Sequence, residues 1–424
     1  MRKLFYWAFA FSLFVLMGCK DDGVRVEVVR YAINEPVFMS ISEFRNSVKV
    51  TDEVVPITKR GKICFYKDYL YISSPDKGIH IVDNRNPASP RIAGFVELIG
   101  NEDLSIKDDK LYADSYVDLV WFDISDPERP ELEGRVENAF RYALPTIENG
   151  YGFDYNMCYS EEARAKGVVV GWEPKEREET IYHYPSYGGD LMANDAASGT
   201  STQGVNGSMA RFSIYGKYLY TVEQNIMCVF DLSGDKPVLT TNDIWLQRGV
   251  ETLFNYKDKM FMGTPTGMLI YSLEDSLEDP LAPKYRSSVS HVFGCDPVVV
   301  EDDLAYVTVH SGNTCGQNTN ELMLIDVSDV DQPNLLVTYG MKCPKGLGID
   351  NGTLFLCDEG LKVFNAKDPM TLLANQLVHY AGMEGYDVIP FKNTLMMIAD
   401  DGLYQYDYSN LQAISQLSKL PMGE

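Results

Sequence analysis

Six charged residues at one position of an internal repeat are the main candidates for binding or chemistry. They fall where the first strand of successive repeats is predicted to begin: Lys62, Asp103, Arg211, Glu251, Asp296 and Asp387. Four carboxylates and two cations around one opening can hold a cation or an amine. Glu251 and Asp296 precede the aligned position by one residue, so strict alternation along a strand would turn them to the other face. The alternative is that each side chain bonds separately to the backbone of a neighbouring repeat.

The same four carboxylates could instead serve as an acid and a base. Glycoside cleavage needs two carboxyl groups roughly 5–10 Å apart in a cleft. A polysaccharide lyase or hydrolase is therefore the enzymatic alternative to a binding module, although no catalytic residue is assigned. The five histidines form no His-x-x-x-His pair, and the chain has no Gly-x-Ser-x-Gly or Cys-x-x-Cys motif. The sequence predicts neither a metal site nor a cofactor.

The element that would position these residues is a short apolar strand ending in an acid and a turn. Leu119–Asp123, followed by Ser125, Asp126 and Pro127, is its clearest copy. Seven copies end at Asp83, Asp123, Asp231, Ser272, Asp326, Asn365 and Asp407. A spacing of about 40 residues, with four short strands in each unit, predicts an all-β, seven-bladed β-propeller of four-stranded blades. A solenoid is the rival architecture, but it would need polar terminal repeats, and the terminal repeats here are apolar.

The period also divides the chain. We expect residues 1–18 to form a signal peptide, residues 19–60 a lipidated tether and lead-in, and residues 61–420 the propeller. The predicted blades span residues 61–100, 101–140, 209–249, 250–294, 295–344, 345–385 and 386–420. One long insertion, residues 141–208, separates blades 2 and 3. It is either a long loop or a divergent blade.

The repeated Leu-Val-Ile-Val-Asp pattern with a following Asp-x-Ser-Asp-Pro resembles the LVIVD-repeat family of bacterial and archaeal surface proteins. The resemblance covers the repeats between residues 61 and 420 and implies a β-propeller. It carries no catalytic residue that can be transferred. The copies ending at Ser272, Asn365 and Asp407 depart from the pattern in the acid or in the Asp-Pro that follows.

The insertion is unusually rich in aromatic residues. Its proposed binding residues are Tyr151, Tyr155, Trp172, Tyr182, Tyr184 and Tyr187. Rings with polar tips are favoured at recognition surfaces. Because the insertion lies between complete blades, we expect its removal to reduce binding without unfolding the propeller; a tolerated, inert surface loop is the alternative.

The first residues predict that the protein is located in the cell envelope. An apolar run, Leu4–Met17, follows Arg2 and Lys3 and has the length of a signal-peptide core. It ends at Leu16-Met17-Gly18-Cys19, which resembles the lipobox of bacterial lipoproteins, with acylation expected at Cys19. Lys20-Asp21-Asp22 resembles the surface-export signal of Bacteroidetes lipoproteins. We therefore expect a lipid-anchored outer-membrane protein on the cell surface.

Charge and cysteines restrict the partners further. Removing Arg2 and Lys3 with the signal peptide leaves 35 of 37 basic residues against 61 acidic ones, a net charge of −26. A field of this sign repels phosphate, so nucleic acid is not an expected partner, whereas a protein or a glycan is. Cys295 and Cys315 flank one predicted hairpin, and an exported chain permits a disulfide between them.

Overall fold

The computed structural model describes residues 25–147, 149–183, 210–223, 225–246, 249–273, 283–290, 297–310 and 319–423. Its first elements are the long strand β1 (Arg25–Met39), the short helix α1 (Ile41–Arg45) and the strand β2 (Lys49–Thr51). Ser40 caps α1 by accepting a hydrogen bond from the backbone N–H of Glu43. Strand β2 pairs with the outer edge of the first blade and makes it five-stranded.

Two four-stranded units follow. Blade 1 consists of β3 (Ile63–Tyr66), β4 (Tyr69–Ser74), β5 (Gly78–Asp83) and β6 (Arg91–Glu97). Blade 2 consists of β7 (Leu104–Lys107), β8 (Lys110–Ser115), β9 (Asp118–Asp123) and β10 (Glu131–Val136). In both blades the strands pair antiparallel in chain order.

The insertion comes next, and its described part, residues 141–147 and 149–183, forms no blade. It contains α2 (Tyr155–Tyr159), α3 (Glu161–Lys166) and the long strand β11 (Val168–His183). Strand β11 pairs antiparallel with β1, from Val168 beside Met39 to His183 beside Arg25. The lead-in and the insertion, which are far apart in sequence, therefore fold together as one two-stranded ribbon.

The remaining five blades complete the predicted count of seven four-stranded blades. Blade 3 contains β12 (Phe212–Tyr215), β13 (Tyr218–Glu223), β14 (Ile226–Asp231) and β15 (Val238–Trp245). Blade 4 contains β16 (Thr252–Tyr256), β17 (Lys259–Thr264), β18 (Gly267–Ser272) and β19 (Lys284–Ser290).

Blade 5 contains β20 (Val298–Glu301), β21 (Leu304–Val309), β22 (Glu321–Asp326) and β23 (Asn334–Gly340). Blade 6 contains β24 (Leu347–Asp350), β25 (Thr353–Cys357), β26 (Leu361–Asn365), a 3-10 helix (Pro369–Asn375) and β27 (Gln376–Tyr380). Blade 7 contains β28 (Gly385–Phe391), β29 (Thr394–Ala399), β30 (Gly402–Asp407) and β31 (Ser415–Pro421).

The first strands of the blades contact each other in a closed ring, β3, β7, β12, β16, β20, β24, β28 and β3 again. They are therefore the innermost strands. Among the described residues, an apolar cluster fills each of the seven joints between neighbouring blades. Each sheet thus buries both faces against its neighbours, which a single four-stranded sheet cannot do alone.

Blades 7 and 1 close the ring without sharing a strand. Their joint packs Leu70, Ile72 and Val82 against Met396 and Leu403. A buried hydrogen bond of 2.6 Å from Gln405 Nε2 to Asn84 Oδ1 crosses the same joint. Side-chain packing and single hydrogen bonds therefore hold the ends of the propeller together.

The terminal acid of the repeated motif has a local role. The side chain of Asp123 accepts a hydrogen bond from the backbone N–H of Ser125, two residues on, at 2.7 Å. The equivalent Asp83, Asp231, Asp326, Asn365 and Asp407 make the same contact. The motif ends in an acid because that acid fixes the turn into the outermost strand.

Candidate functional site

Five of the six residues predicted at the channel mouth are described, and they lie directly before the innermost strands or, for Asp387, near the start of one. The carbonyls of Lys62, Asp103 and Arg211 accept backbone hydrogen bonds from the second strands of their own blades. Glu251 directly precedes β16, and Asp387 lies inside β28. Asp296 is outside the described residues.

Asp103 joins three blades. Its carboxylate is 1% exposed and lies 2.7 Å from Lys62 Nζ of blade 1. It also accepts hydrogen bonds from the backbone N–H groups of Leu104, Arg211 and Phe212, so it reaches blade 3. Burial raises its pKa, while Lys62 acts in the opposite direction. For Asp103 the geometry supports the alternative hypothesis, in which the side chain bonds to the backbone of a neighbouring blade. Because its carboxylate is already bonded, Asp103 is poorly placed to act on a substrate.

Arg211 lies among three acidic residues, Glu102, Glu223 and Glu251. Its guanidinium pairs with Glu102. Burial lowers the pKa of Arg211, whereas the charges of Glu223 and Glu251 raise it. The structure therefore brings Lys62, Asp103 and Arg211 into direct contact and puts Glu251 within electrostatic range. Asp387 is buried and accepts a hydrogen bond from the N–H of Val388 at 2.8 Å.

Beside this group lies a pocket of about 100 Å³, where blades 2 and 3 meet the insertion. Blade residues supply its charged wall, and the segment that follows β10 supplies much of its apolar wall. The lining residues are Glu102, Asp114, Tyr116, Phe140, Tyr142, Ala143, Leu144, Thr146, Arg211, Phe212, Val222 and Glu223.

Two carboxylates in the pocket are only partly satisfied. All three hydrogen bonds described for Asp114 reach Oδ1, from Asn101 Nδ2 and from the N–H groups of Glu102 and Asp103. Oε1 of Glu223 is shielded from solvent and has no hydrogen-bond partner among the described residues. Its Oε2 lies 3.4 Å from the N–H of Tyr142. Burial raises the pKa of Glu223 to about 7 and holds that of Asp114 well above its usual range.

The aromatic residues predicted in the insertion divide into exposed and packed ones. Tyr151 and Tyr155 are 43% and 55% exposed. Trp172 is partly buried, packs 5.1 Å from the ring of Phe153, and donates a hydrogen bond to the carbonyl of Pro145. Tyr182 lies in β11, and its side chain is not described. Tyr184, Tyr187, Cys295 and Cys315 are outside the described residues, as is Cys19.

Asp114 and Glu223 were not among the site residues predicted from the sequence. Asp114 is the penultimate residue of β8 and Glu223 the last residue of β13; a neighbouring blade has a small residue at each equivalent position, Ser73 for Asp114 and Thr264 for Glu223. An acid where the neighbouring blade carries a small residue was the available signal.

The comparisons with known proteins agree with the architecture. The LVIVD repeat family matches residues 61–97, 102–138 and 296–340. This chain carries LVIVD repeats. The WD40 domain of Pan2 from Neurospora crassa is similar in fold, with a TM-score of 0.51 and 9% identity over 87% of this chain and 92% of that one. The computationally designed protein Ika8 gives a TM-score of 0.49 at 10% identity over 86% of this chain and 87% of its own. No curated protein matches this sequence.

Two searches of the described residues gave negative results. No group of three or more His, Cys, Asp or Glu side chains within the described ranges is arranged to hold a metal ion. In the same part of the chain, no helix is long and apolar enough to cross a membrane.

Proposed function

We propose that this protein is a lipid-anchored β-propeller of the bacterial outer membrane, displayed on the cell surface, which binds a protein or glycan partner. The observation that carries the proposal is the pocket, because the one long departure from the repeat supplies much of its wall. Binding residues are commonly placed on insertions held by a rigid scaffold. The LVIVD repeats and the propeller fold support a binding or scaffold role.

The N-terminal sequence supports the proposed location on the cell surface. Met17-Gly18-Cys19 has the composition of a cleavage and acylation site, and Lys20-Asp21-Asp22 that of a surface-export signal. Only residues 20–24 separate Cys19 from β1, which pairs with the insertion. Two or three acyl chains on Cys19 would hold the protein firmly, whereas one would not.

The proposed location can be tested by labelling. We expect palmitate to label the wild type and not Cys19→Ser, and protease added to whole cells to degrade the wild type. Label on Cys19→Ser would contradict acylation at that residue, and protection from protease in intact cells would contradict surface display.

The binding role can be tested by crosslinking in whole cells. A photo-crosslinking amino acid at Tyr151, which is 43% exposed in the insertion, should yield a discrete adduct. The matched control is Leu335, which is 46% exposed on the outermost strand of blade 5. Equal adducts at both positions, or none at Tyr151, would contradict a partner at this face.

A further inference from the structure

We propose that the pocket between blades 2 and 3 binds a small organic monocation, such as the ammonium end of a lysine side chain. The inference deepens the proposed function, on which it rests, by naming the class of ligand that the pocket binds. Three observations carry it: the balance of charge in the pocket, two carboxylates with unused oxygens, and aromatic walls.

The charge balance is the first observation. Glu102, Asp114 and Glu223 line the pocket, and Arg211 is the one basic residue in its lining. The guanidinium of Arg211 is already paired with Glu102. A bound monocation would supply the counter-charge that Asp114 and Glu223 lack and would favour their ionised form, whereas an anion would oppose it.

The unused oxygens are the second observation. Oε1 of Glu223 is shielded and without a hydrogen-bond partner among the described residues. The hydrogen bonds described for Asp114 all reach Oδ1, which leaves Oδ2 for a ligand. A shielded polar atom without a partner is costly unless a ligand satisfies it. An ammonium group offers three donors and no acceptor, so it can satisfy carboxylate oxygens of this kind.

The walls are the third observation. The rings of Tyr116, Phe140, Tyr142 and Phe212 line the pocket together with Leu144. Aromatic faces attract cations and also accept an aliphatic stem. The volume of about 100 Å³ is enough for several water molecules or for a short alkylammonium ion.

Other ligand classes fit less well. A divalent metal would need several oxygen ligands in a close shell, and no such group of side chains is found in the described part of the chain. A neutral sugar ring could stack on the aromatic walls, but it would leave the buried carboxylates without a counter-charge. An organic monocation can both pack against the aromatic walls and supply the counter-charge for the carboxylates.

The test uses the purified full-length protein and three probes of one shape: n-butylammonium, n-butanol and butyrate. Binding is measured by ligand-observed NMR or calorimetry at pH 8 and low salt, where exposed ion pairs are least screened. We expect butylammonium to bind at least about ten-fold more tightly than butanol, and butyrate not to bind.

The variants locate the site. Glu223→Gln and Asp114→Asn keep the shape and one acceptor of each side chain, and each should weaken butylammonium binding about ten-fold or more. Glu131→Gln, which removes a carboxylate from an exposed position on the outermost strand of blade 2, should bind like the wild type. Folding of each variant is checked by its unfolding transition.

Two results would overturn the inference. Equal binding of butanol and butylammonium would show that the pocket is only apolar. Undiminished butylammonium binding by both pocket variants would place the cation elsewhere. Either failure leaves the crosslinking test at Tyr151 intact, so it is distinguishable from failure of the proposed function.

Discussion

Asn34 and Asn149 exchange two hydrogen bonds through their side-chain amides. Asn34 Nδ2 donates to Asn149 Oδ1 at 3.0 Å, and Asn149 Nδ2 donates to Asn34 Oδ1 at 2.8 Å. Asn34 is fully buried, and its backbone N–H donates to the carbonyl of Gly152. This reciprocal pair fixes the insertion to the lead-in, so the two segments depend on each other.

The first prediction follows from that dependence. Replacing residues 141–208 by a short Gly-Ser linker leaves the strands of all seven blades intact but removes β11, the partner of β1. We expect cooperative unfolding to persist, because closing the linker costs only a few kcal/mol. Limited proteolysis should now cut within residues 25–39, since a lone strand is not stable in water.

A double deletion is the control. Removing residues 25–39 as well as 141–208 should restore resistance to proteolysis. Loss of cooperative unfolding in the single deletion would instead mean that the insertion is part of the propeller core.

The second prediction concerns Asp103. In Asp103→Asn the new amide group would face the N–H groups of Arg211 and Phe212 or the ammonium of Lys62, all of which are donors. We expect a loss of roughly 2–4 kcal/mol in the free energy of unfolding, measured by chemical denaturation. Asp109→Asn breaks an exposed pair with Lys67 and should cost less than about 1 kcal/mol. Equal effects would contradict the bridging role of Asp103.

The third prediction concerns the pH dependence given by Glu223. Its carboxyl has an ordinary pKa of 4.5 and a folded-state pKa of about 7 because of burial. Between these values the unfolded chain loses the proton first, so this residue reduces stability as pH rises and has a constant effect above pH 7. Glu223→Gln should therefore be more stable than the wild type at pH 8, by roughly 1–3 kcal/mol. The difference should vanish near pH 4; a constant difference at all pH values would contradict the shift.

The fourth prediction concerns the attachment of the lead-in to blade 2. Arg45 Nε and Arg135 Nη1 each lie 2.9 Å from Asp118 Oδ2, and the side chain of Asp118 is fully buried. Arg45→Gln should cost about 1–3 kcal/mol, because it leaves a buried carboxylate with one cation fewer. Arg30→Gln breaks the exposed pair with Glu178 and should have little effect in the same denaturation experiment.

The propeller was predictable because its signal is repeated. Each blade has the same apolar strand, the same turn-fixing acid at positions such as Asp123, and tight turns such as Lys67-Asp68, where both residues have positive φ. Seven copies of a weak local signal reinforce one another, and their period limits the architecture.

The ribbon and the pocket were not predictable in the same way. Strands β1 and β11 pair across more than one hundred residues and occur once, so no period indicates their register. Glu223 ends an ordinary strand, and its raised pKa comes from burial, which the backbone N–H of Tyr142 and the charge of Arg211 only partly offset. Properties that arise from such non-local contacts can be read only after folding.

Closure of the ring without a shared strand also bears on biosynthesis. The nascent chain makes blade 1 first, yet the faces of Leu70 and Ile72 stay uncovered until blade 7 has been made. Asn84 and Gln405, which bond across that joint, are 321 residues apart. A prematurely terminated chain that lacks blade 7 would therefore present two apolar faces, and cellular quality control can recognise an unfinished copy by them.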